Sequence, residues 1–169
     1  MRYYITVPGE VVAKQSARFA QIGGFIKSYQ KANVTNYANF VKLCFLEQNK
    51  DFKLSEKEKC PLRLMIDIYK PIPSSKSKKF KEAALEGSIR PITKPDVDNC
   101  CKNILDGLNK IAYFDDSQIV DLYVRKIYSN EPRVEIIIEE IWYGEKLKTK
   151  EEYGFGNTKI SYIFVDKKG

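Results

Sequence analysis

The feature that most limits the fold is a strict alternation of side chains at residues 62–69, which read LRLMIDIY. Leucine or isoleucine occupies every second position, as expected for a β-strand with one face in a core. Residues 119–128 and 133–141 are also apolar and β-branched, and a short polar segment with Asn and Pro separates them. We therefore predict that these two runs form a β-hairpin. A further strand is predicted over Arg2–Val7, which stops at Pro8-Gly9.

Three segments show the period of an amphipathic helix. The first surrounds Tyr37–Phe45, and Asn33 and Thr35 are the candidates for its N-cap. The second, residues 76–85, is short and very basic, and the third spans residues 98–109. Strands mixed with about three helices predict an α/β or α+β fold in which one mixed sheet packs against the helices.

The length of 169 residues fits one domain with a proper core. We assign residues 1–141 to this domain and residues 142–169 to a C-terminal extension. Within the extension, residues 159–165 (KISYIFV) can add one further strand to the same domain. Residues 11–30 contain the pair Gly23-Gly24 and are predicted to form either a hairpin or a mobile basic loop.

Composition excludes several kinds of chemistry. The chain contains no histidine, which excludes Ser-His-Asp and Cys-His catalysis and histidine-bound zinc. Proton transfer must therefore use carboxylates, lysine, tyrosine, cysteine or water. The net charge is +7, and residues 1–93 carry 17 basic against 8 acidic side chains, whereas residues 94–169 carry 12 against 14. A basic first half favours a polyanionic partner, although a lysine-rich solvated surface would give the same balance.

The cysteines and the N-terminus indicate the compartment. Cys44, Cys60, Cys100 and Cys101 are too few for a disulfide framework, and no C-x-x-C pair is present. Reduced, mostly buried thiols are expected, as in a cytoplasmic protein. The N-terminal residues MRYYITVPGE lack the apolar core of a signal peptide, and no apolar run approaches the roughly 18 residues of a membrane span.

The densest chemistry lies in residues 94–118, KPDVDNCCKNILDGLNKIAYFDDSQ. Asp96 and Asp98 are two residues apart, so an extended segment places both carboxylates on one face. Lys102 and Asp106 follow Asp98 at intervals of four, which places all three on one helical face. A second acidic pair, Asp115-Asp116, comes just before the predicted strand at residue 119.

Carboxylates that are brought together repel one another unless a cation lies among them. Oxygen ligands without cysteine or histidine favour Mg²⁺ or Mn²⁺ over zinc. Such an ion can orient a water and neutralise charge on a phosphate, while Lys102 restrains the carboxylates or stabilises the transition state. In the ordinary alternative, Asp96 is a turn residue, Asp98 or Asn99 caps the helix, and Lys102 with Asp106 forms a surface pair.

This segment resembles the RusA-type Holliday junction resolvases, the crossover junction endodeoxyribonucleases. The family pattern is close to D-x-D-N-x-x-K-x-x-x-D-x-L followed by D-D-x-Q-[VI]. The matching residues are Lys94-Pro95-Asp96-Val97-Asp98-Asn99, Lys102, Asp106, Leu108, Asp115-Asp116 and Gln118-Ile119. Near the N-terminus, Gly9, Lys14 and Arg18 lie at places comparable to those of a family stretch like Gly-x-Pro-x-x-K-x-R-P-R, although Ser16-Ala17 replaces the usual Arg-Pro.

The resemblance implies a dimeric, Mg²⁺-dependent endonuclease of mixed α/β fold, with no organic cofactor and a phage or prophage origin. It implies resolution of four-way DNA junctions by paired symmetric nicks during recombination and repair. The implied catalytic residues are Asp96, Asp98, Lys102 and Asp116. The implied metal ligands are Asp96, Asp98 and Asp116, with Asp115 as the alternative third carboxylate and with Asn99 and Asp106 as supporting residues.

The implied DNA-binding residues are basic: Lys14, Arg18, Lys27, Lys76, Lys78, Lys79 and Lys94. Lys76, Lys78 and Lys79 also fit an ordinary solvated helix face. The aromatic residues near the N-terminus are expected to be core or interface residues, and the alternative is that Phe19 or Phe25 inserts at the centre of a junction.

Two other functions are compatible with the residues. One is a junction-binding or DNA-binding protein of the same fold that does not cleave, which a cleavage assay in Mg²⁺ distinguishes. The other is a Mg²⁺ phosphatase or phosphotransferase for small substrates, with Asp96 as nucleophile and Asp98 as acid. Steep loss of binding with salt would favour a polynucleotide over a small substrate.

Overall fold

The computed structural model describes residues 2–16, 18–22, 25–54, 59–141, 152–155 and 158–161. The strands are β1 (Arg2–Pro8), β2 (Arg18–Ile22), β3 (Phe25–Tyr29), β4 (Leu62–Pro71), β5 (Ile119–Ser129), β6 (Arg133–Glu140), β7 (Glu152–Phe155) and β8 (Thr158–Ser161). The helices are α1 (Ala32–Gln48), α2 (Lys78–Leu85) and α3 (Val97–Leu108). The main sheet has the order β1-β6-β4-β5, and β2-β3 and β7-β8 form separate antiparallel ribbons. The predicted single domain with a mixed sheet and three helices, an α+β fold, is confirmed.

The alternating strand β4 lies inside the sheet, antiparallel to β6 and parallel to β5. The predicted hairpin between residues 119–128 and 133–141 is therefore wrong, because β4 separates the two strands. The physical reason is that β4 is buried along residues 62–69, on both faces of the sheet, and such strands take central positions. Its parallel pairing with β5 requires a crossover connection. That connection contains α2 and α3, and it carries the acidic segment.

The helices cover one face of the sheet and close the core. Val41 and Phe45 of α1, Ile104 and Leu108 of α3, and Ile66 of β4 are among its fully buried side chains. Gly107 permits the close approach of α1 and α3, since a Cβ at this position would lie 2.5 Å from the carbonyl oxygen of Ala38.

Two predictions about local structure have opposite outcomes. Asn33 and Thr35 do not cap α1, because the helix begins earlier, after Lys31, and has no side-chain cap. The hairpin alternative for residues 11–30 is confirmed by β2 and β3. In the C-terminal extension β8 overlaps the predicted strand, while residues 162–165 lie outside the described part, and the boundary at residue 141 stays a prediction.

The four cysteines are buried and unpaired, as predicted. In the described residues, no helix is both long enough and apolar enough to cross a membrane.

Candidate active site

The first acidic segment lies at the beginning of α3. Asp96, rather than the predicted Asp98 or Asn99, occupies the N-cap position, because the helix starts at Val97; its carboxylate makes no capping hydrogen bond. Asp98 lies in the first turn and accepts a hydrogen bond of 3.2 Å from the Lys102 ammonium, one turn further on. This hydrogen bond is the main cause that lowers the pKa of Asp98. Asp98 is therefore an exposed, ionised carboxylate with a fixed cationic neighbour.

The second acidic segment precedes β5, where Asp116–Gln118 form a short 3-10 turn. Asp115 caps this turn, since its carboxylate accepts from the Ser117 backbone N–H at 3.1 Å and lies 3.6 Å from the Lys110 ammonium. The Ser117 contacts, and then Lys110, lower the pKa of Asp115. Asp116 is exposed; its backbone carbonyl accepts from the Ile119 N–H, but its carboxylate has no hydrogen bond or ion pair with another described residue. Asp115 therefore stabilises the turn, and within the described part of the chain the Asp116 carboxylate has no partner.

Gln118 fixes the turn that carries these two acids. Its side-chain oxygen accepts from the backbone N–H groups of Phe114 at 2.9 Å and Asp115 at 3.3 Å. Its side-chain amide donates to the carbonyl oxygen of Cys60 at 3.1 Å, in the residues that lead into β4. The Gln of the D-D-x-Q pattern thus joins the acidic turn to the sheet.

Cys101 of α3 and Tyr113, two residues before Asp115, are both buried. Burial raises the pKa of the Cys101 thiol to about 11, and the charge of Asp98 adds to the effect. Burial also raises the pKa of Tyr113 far above its usual range, and the charges of Asp116 and Cys101 contribute. The Tyr113 hydroxyl donates to the carbonyl oxygen of Leu105 on α3 at 3.1 Å. Tyr113 therefore joins the residues before the second acidic segment to α3.

The donor chemistry of this region fits a hard divalent cation. Asp96, Asp98 and Asp116 offer exposed carboxylate oxygens without cysteine or histidine, a combination that suits Mg²⁺. However, the described part of the chain contains no group of three or more Cys, Asp or Glu side chains arranged to hold a metal ion. The three carboxylates therefore lie on two segments, and they are not grouped closely enough to coordinate one metal ion together.

The residues after β1 are held against α3 by an ion pair and two hydrogen bonds. Lys14 pairs with Asp106 at 2.6 Å, and its backbone N–H donates to the carbonyl oxygen of Asn99 at 2.8 Å. Asn103, 1% exposed, donates to the carbonyl oxygen of Val12 at 2.7 Å. Sequence reasoning missed Asn103. The signal was an amide on the apolar side of a helix, since positions 100, 103, 104 and 107 share one face.

A groove of about 580 Å³ opens between this segment and the beginning of α3. It is lined by residues 13–16 and by Lys94, Pro95, Asp96 and Asn99. The groove thus combines the basic side chains of Lys14 and Lys94 with one carboxylate of the acidic pattern. Its two lysine side chains are of the type that contacts backbone phosphates.

The model of the family described as endodeoxyribonuclease RusA matches residues 8–139. The chain belongs to the RusA endodeoxyribonuclease family. It is 40% identical over 138 residues to the uncharacterised protein YqaN of Bacillus subtilis strain 168, covering 80% of this chain and 94% of the relative. It is 29% identical over 130 residues to the crossover junction endodeoxyribonuclease rusA of Lactococcus phage r1t, covering 76% of this chain and 88% of the relative.

The remaining basic residues predicted for this RusA protein lie on other elements. Lys76 and Lys78-Lys79 are exposed around the start of α2, where Lys78 lies 3.9 Å from Glu82. None of the three lines the groove. Arg18 and Lys27 belong to the β2-β3 ribbon, and their side chains lie outside the described part of the structure.

The β2-β3 ribbon also carries the aromatic residues of the N-terminal region. Phe19 is 71% exposed and Phe25 is 74% exposed, so neither ring lies in the core, and the interface position that was the other half of the expectation stays a prediction. The physical reason is that a ribbon of two strands has no interior of its own. Phe19 pairs with Ser28 and Phe25 with Ile22, which places the two rings on opposite faces of the ribbon.

Proposed function

We propose that this RusA-family protein is a divalent-metal-dependent endonuclease that resolves four-way DNA junctions by paired nicks. The observation that carries the proposal is the match of the family model across both acidic segments, residues 8–139. The name of the phage relative, a crossover junction endodeoxyribonuclease, supports the junction as substrate. The exposed, ionised Asp98 beside Lys102 supports phosphodiester chemistry at the beginning of α3.

In this proposal Asp96, Asp98 and Asp116 hold Mg²⁺, for which Mn²⁺ can substitute. The bound ion supplies charge neutralisation at the scissile phosphate and an oriented water. Asp116 is preferred to Asp115 because the Asp115 carboxylate is occupied by Ser117 and Lys110.

Lys102 acts on the carboxylates and on the phosphate. Its hydrogen bond keeps Asp98 ionised and in place. Its positive charge also lies where it can stabilise the charge that develops on a phosphate bound near Asp98. Asp106 supports the site indirectly, because its ion pair with Lys14 holds the wall of the groove.

The basic groove and the ribbon are the proposed DNA contacts. Lys94 lines the groove beside Asp96 and contacts a backbone phosphate, whereas Lys14, whose ammonium pairs with Asp106, adds positive charge to the groove wall. The β2-β3 ribbon offers exposed aromatic rings at Phe19 and Phe25 for base or sugar contacts near the branch point.

A homodimer is part of the proposal. A four-way junction is nearly two-fold symmetric, so two copies related by a two-fold axis present two sites to opposed strands. Light scattering coupled to size exclusion should give twice the 19.6 kDa mass of the chain. A monomer both free and on the junction would contradict paired nicking by one complex.

The test is cleavage of a synthetic four-way junction beside a linear duplex of the same sequence, in Mg²⁺ and in EDTA. The variants are Asp98→Asn and Asp116→Asn, and the matched control is Asp51→Asn, which changes an exposed aspartate on the turn after α1. We expect symmetric nicks in the junction only, and loss of cleavage with EDTA or with either site variant. The site variants should still bind the junction, because they remove negative charge.

The other outcomes separate the alternatives. Full Mg²⁺-dependent cleavage by Asp98→Asn would contradict the assignment of the site. Equal cleavage of duplex and junction would show a general nuclease. Tight junction binding without cleavage in any divalent metal would favour the binding protein.

A further inference from the structure

Two lysines of the sheet reach the backbone just before Asp96. Lys70, near the end of β4, donates to the carbonyl oxygen of Lys94 at 2.5 Å. Lys126 of β5 donates to the carbonyl oxygens of Thr93 at 2.9 Å and Pro95 at 3.0 Å. Three consecutive carbonyl groups therefore accept from two ammonium groups.

Placing these two ammonium groups close together costs electrostatic free energy. Both lysines are half-buried and project from the sheet face that packs against the helices, since Lys126 pairs with the core residue Ile68 and Lys70 lies two positions beyond it. Burial, and then the charge of Lys126, lowers the pKa of Lys70. Two like charges held close together with part of their hydration removed are unfavourable unless other groups compensate them. Here backbone carbonyls supply that compensation.

The residues whose carbonyl groups accept from the two lysines come directly before the first acidic segment. Thr93, Lys94 and Pro95 connect the loop after α2 to α3, and Asp96 is the next residue. The Asp96 carbonyl accepts the backbone N–H of Cys100, which is part of the first turn of the helix. The Asp96 carboxylate has no capping bond that would hold it from within the helix. The hydrogen bonds of the two lysines therefore hold the residues just before Asp96 against the sheet.

We propose that Lys70 and Lys126 are positioning residues, which hold residues 93–95 so that Asp96 and Asp98 lie at the correct distance from Asp116. This inference rests on the proposed function, because it concerns the assembly of that same site. The two lysines act through backbone carbonyls, and they contact neither the metal ion nor DNA.

The test compares Lys126→Met and Lys70→Met with Lys126→Arg and with a control, Lys42→Met, which removes an exposed charge on α1. Methionine keeps an unbranched apolar side chain that is one atom shorter than lysine and removes every donor. We measure Mn²⁺ binding by calorimetry, the Mg²⁺ concentration that half-saturates junction cleavage, and the junction Kd in EDTA. Lys126→Met should raise the half-saturating metal concentration about tenfold or more in both metal assays, with the junction Kd changed less than twofold. Lys126→Arg, which keeps donors, should recover most of the loss.

Several results would overturn the inference. Unchanged metal requirement in a folded Lys126→Met protein would show a purely structural role. A raised junction Kd with an unchanged metal requirement would show a phosphate contact. If Lys126→Met does not fold, the same criteria apply to Lys70→Met, which removes one hydrogen bond at the strand end instead of two. Failure of the proposed function is a different result, in which the wild-type protein itself neither binds Mn²⁺ nor cleaves the junction.

Discussion

Replacement of Gln118 by leucine tests whether the acidic turn depends on one side chain. The change removes hydrogen bonds to the N–H groups of Phe114 and Asp115 and to the carbonyl of Cys60, at 2.9, 3.3 and 3.1 Å. The Phe114 and Cys60 bonds are well formed, and each contributes about 1 kcal/mol net, so the free energy of unfolding should fall by about 2 kcal/mol. For a domain of this length, Tm should fall by roughly 4–8 °C.

The assay is denaturant unfolding followed by circular dichroism, with Gln21→Leu on the exposed face of β2 as the control. Junction cleavage should also slow by roughly 10- to 100-fold at a temperature where the variant is folded, because Asp116 is displaced from its position. A loss of stability within about 0.5 kcal/mol of the control would refute the anchoring role. A destabilised variant that cleaves at the wild-type rate would refute the link between this anchor and Asp116.

Three further predictions follow from the same contacts. Lys102→Met should raise the pKa of Asp98 towards its ordinary value, because the lowering contact is lost, and a carboxyl ¹³C NMR titration measures it; an unchanged pKa would show that the pair does not form in solution. Asn103→Ala should lower the free energy of unfolding by about 1–3 kcal/mol, since the carbonyl of Val12 loses its buried partner, and a smaller change in urea unfolding would mean that water replaces the amide. Cys100 and Cys101 should not react with a disulfide reagent at pH 8 until the protein is unfolded, because burial raises the pKa of each thiol to about 11; rapid labelling of the native protein would contradict their burial.

Local sequence patterns were sufficient for the elements and for the family. Alternation at residues 62–69 predicts β4. Helical spacing predicts the bounds of α3 to within one residue and places α1 around the correct residues, although α1 begins a few residues earlier than expected. The acidic pattern is read from residue types at fixed spacing, and the family match spans it. These properties depend on neighbours within about one turn or one strand, so the chain displays them directly.

Contacts between segments that are distant in sequence could not be predicted from local sequence patterns. The observed strand order differs from the predicted hairpin because β4, which is buried on both faces, lies between β5 and β6. The short polar segment between β5 and β6 gives no sign of this insertion. The ion pair of Lys14 with Asp106 joins residues 92 positions apart, and Lys126 meets Thr93 across 33 positions.

The sequence by itself determined which residues can do chemistry here: a set of carboxylates, one lysine at helical spacing, and no histidine. Only the tertiary structure decided how these residues are used. It engages the Asp115 carboxylate in a cap, gives the Asp116 carboxylate no partner among the described residues, and holds the residues before Asp96 with lysines from two different strands. The physical reason is that hydrogen-bond geometry and burial depend on which segments the fold brings together, and residue type and spacing do not specify that.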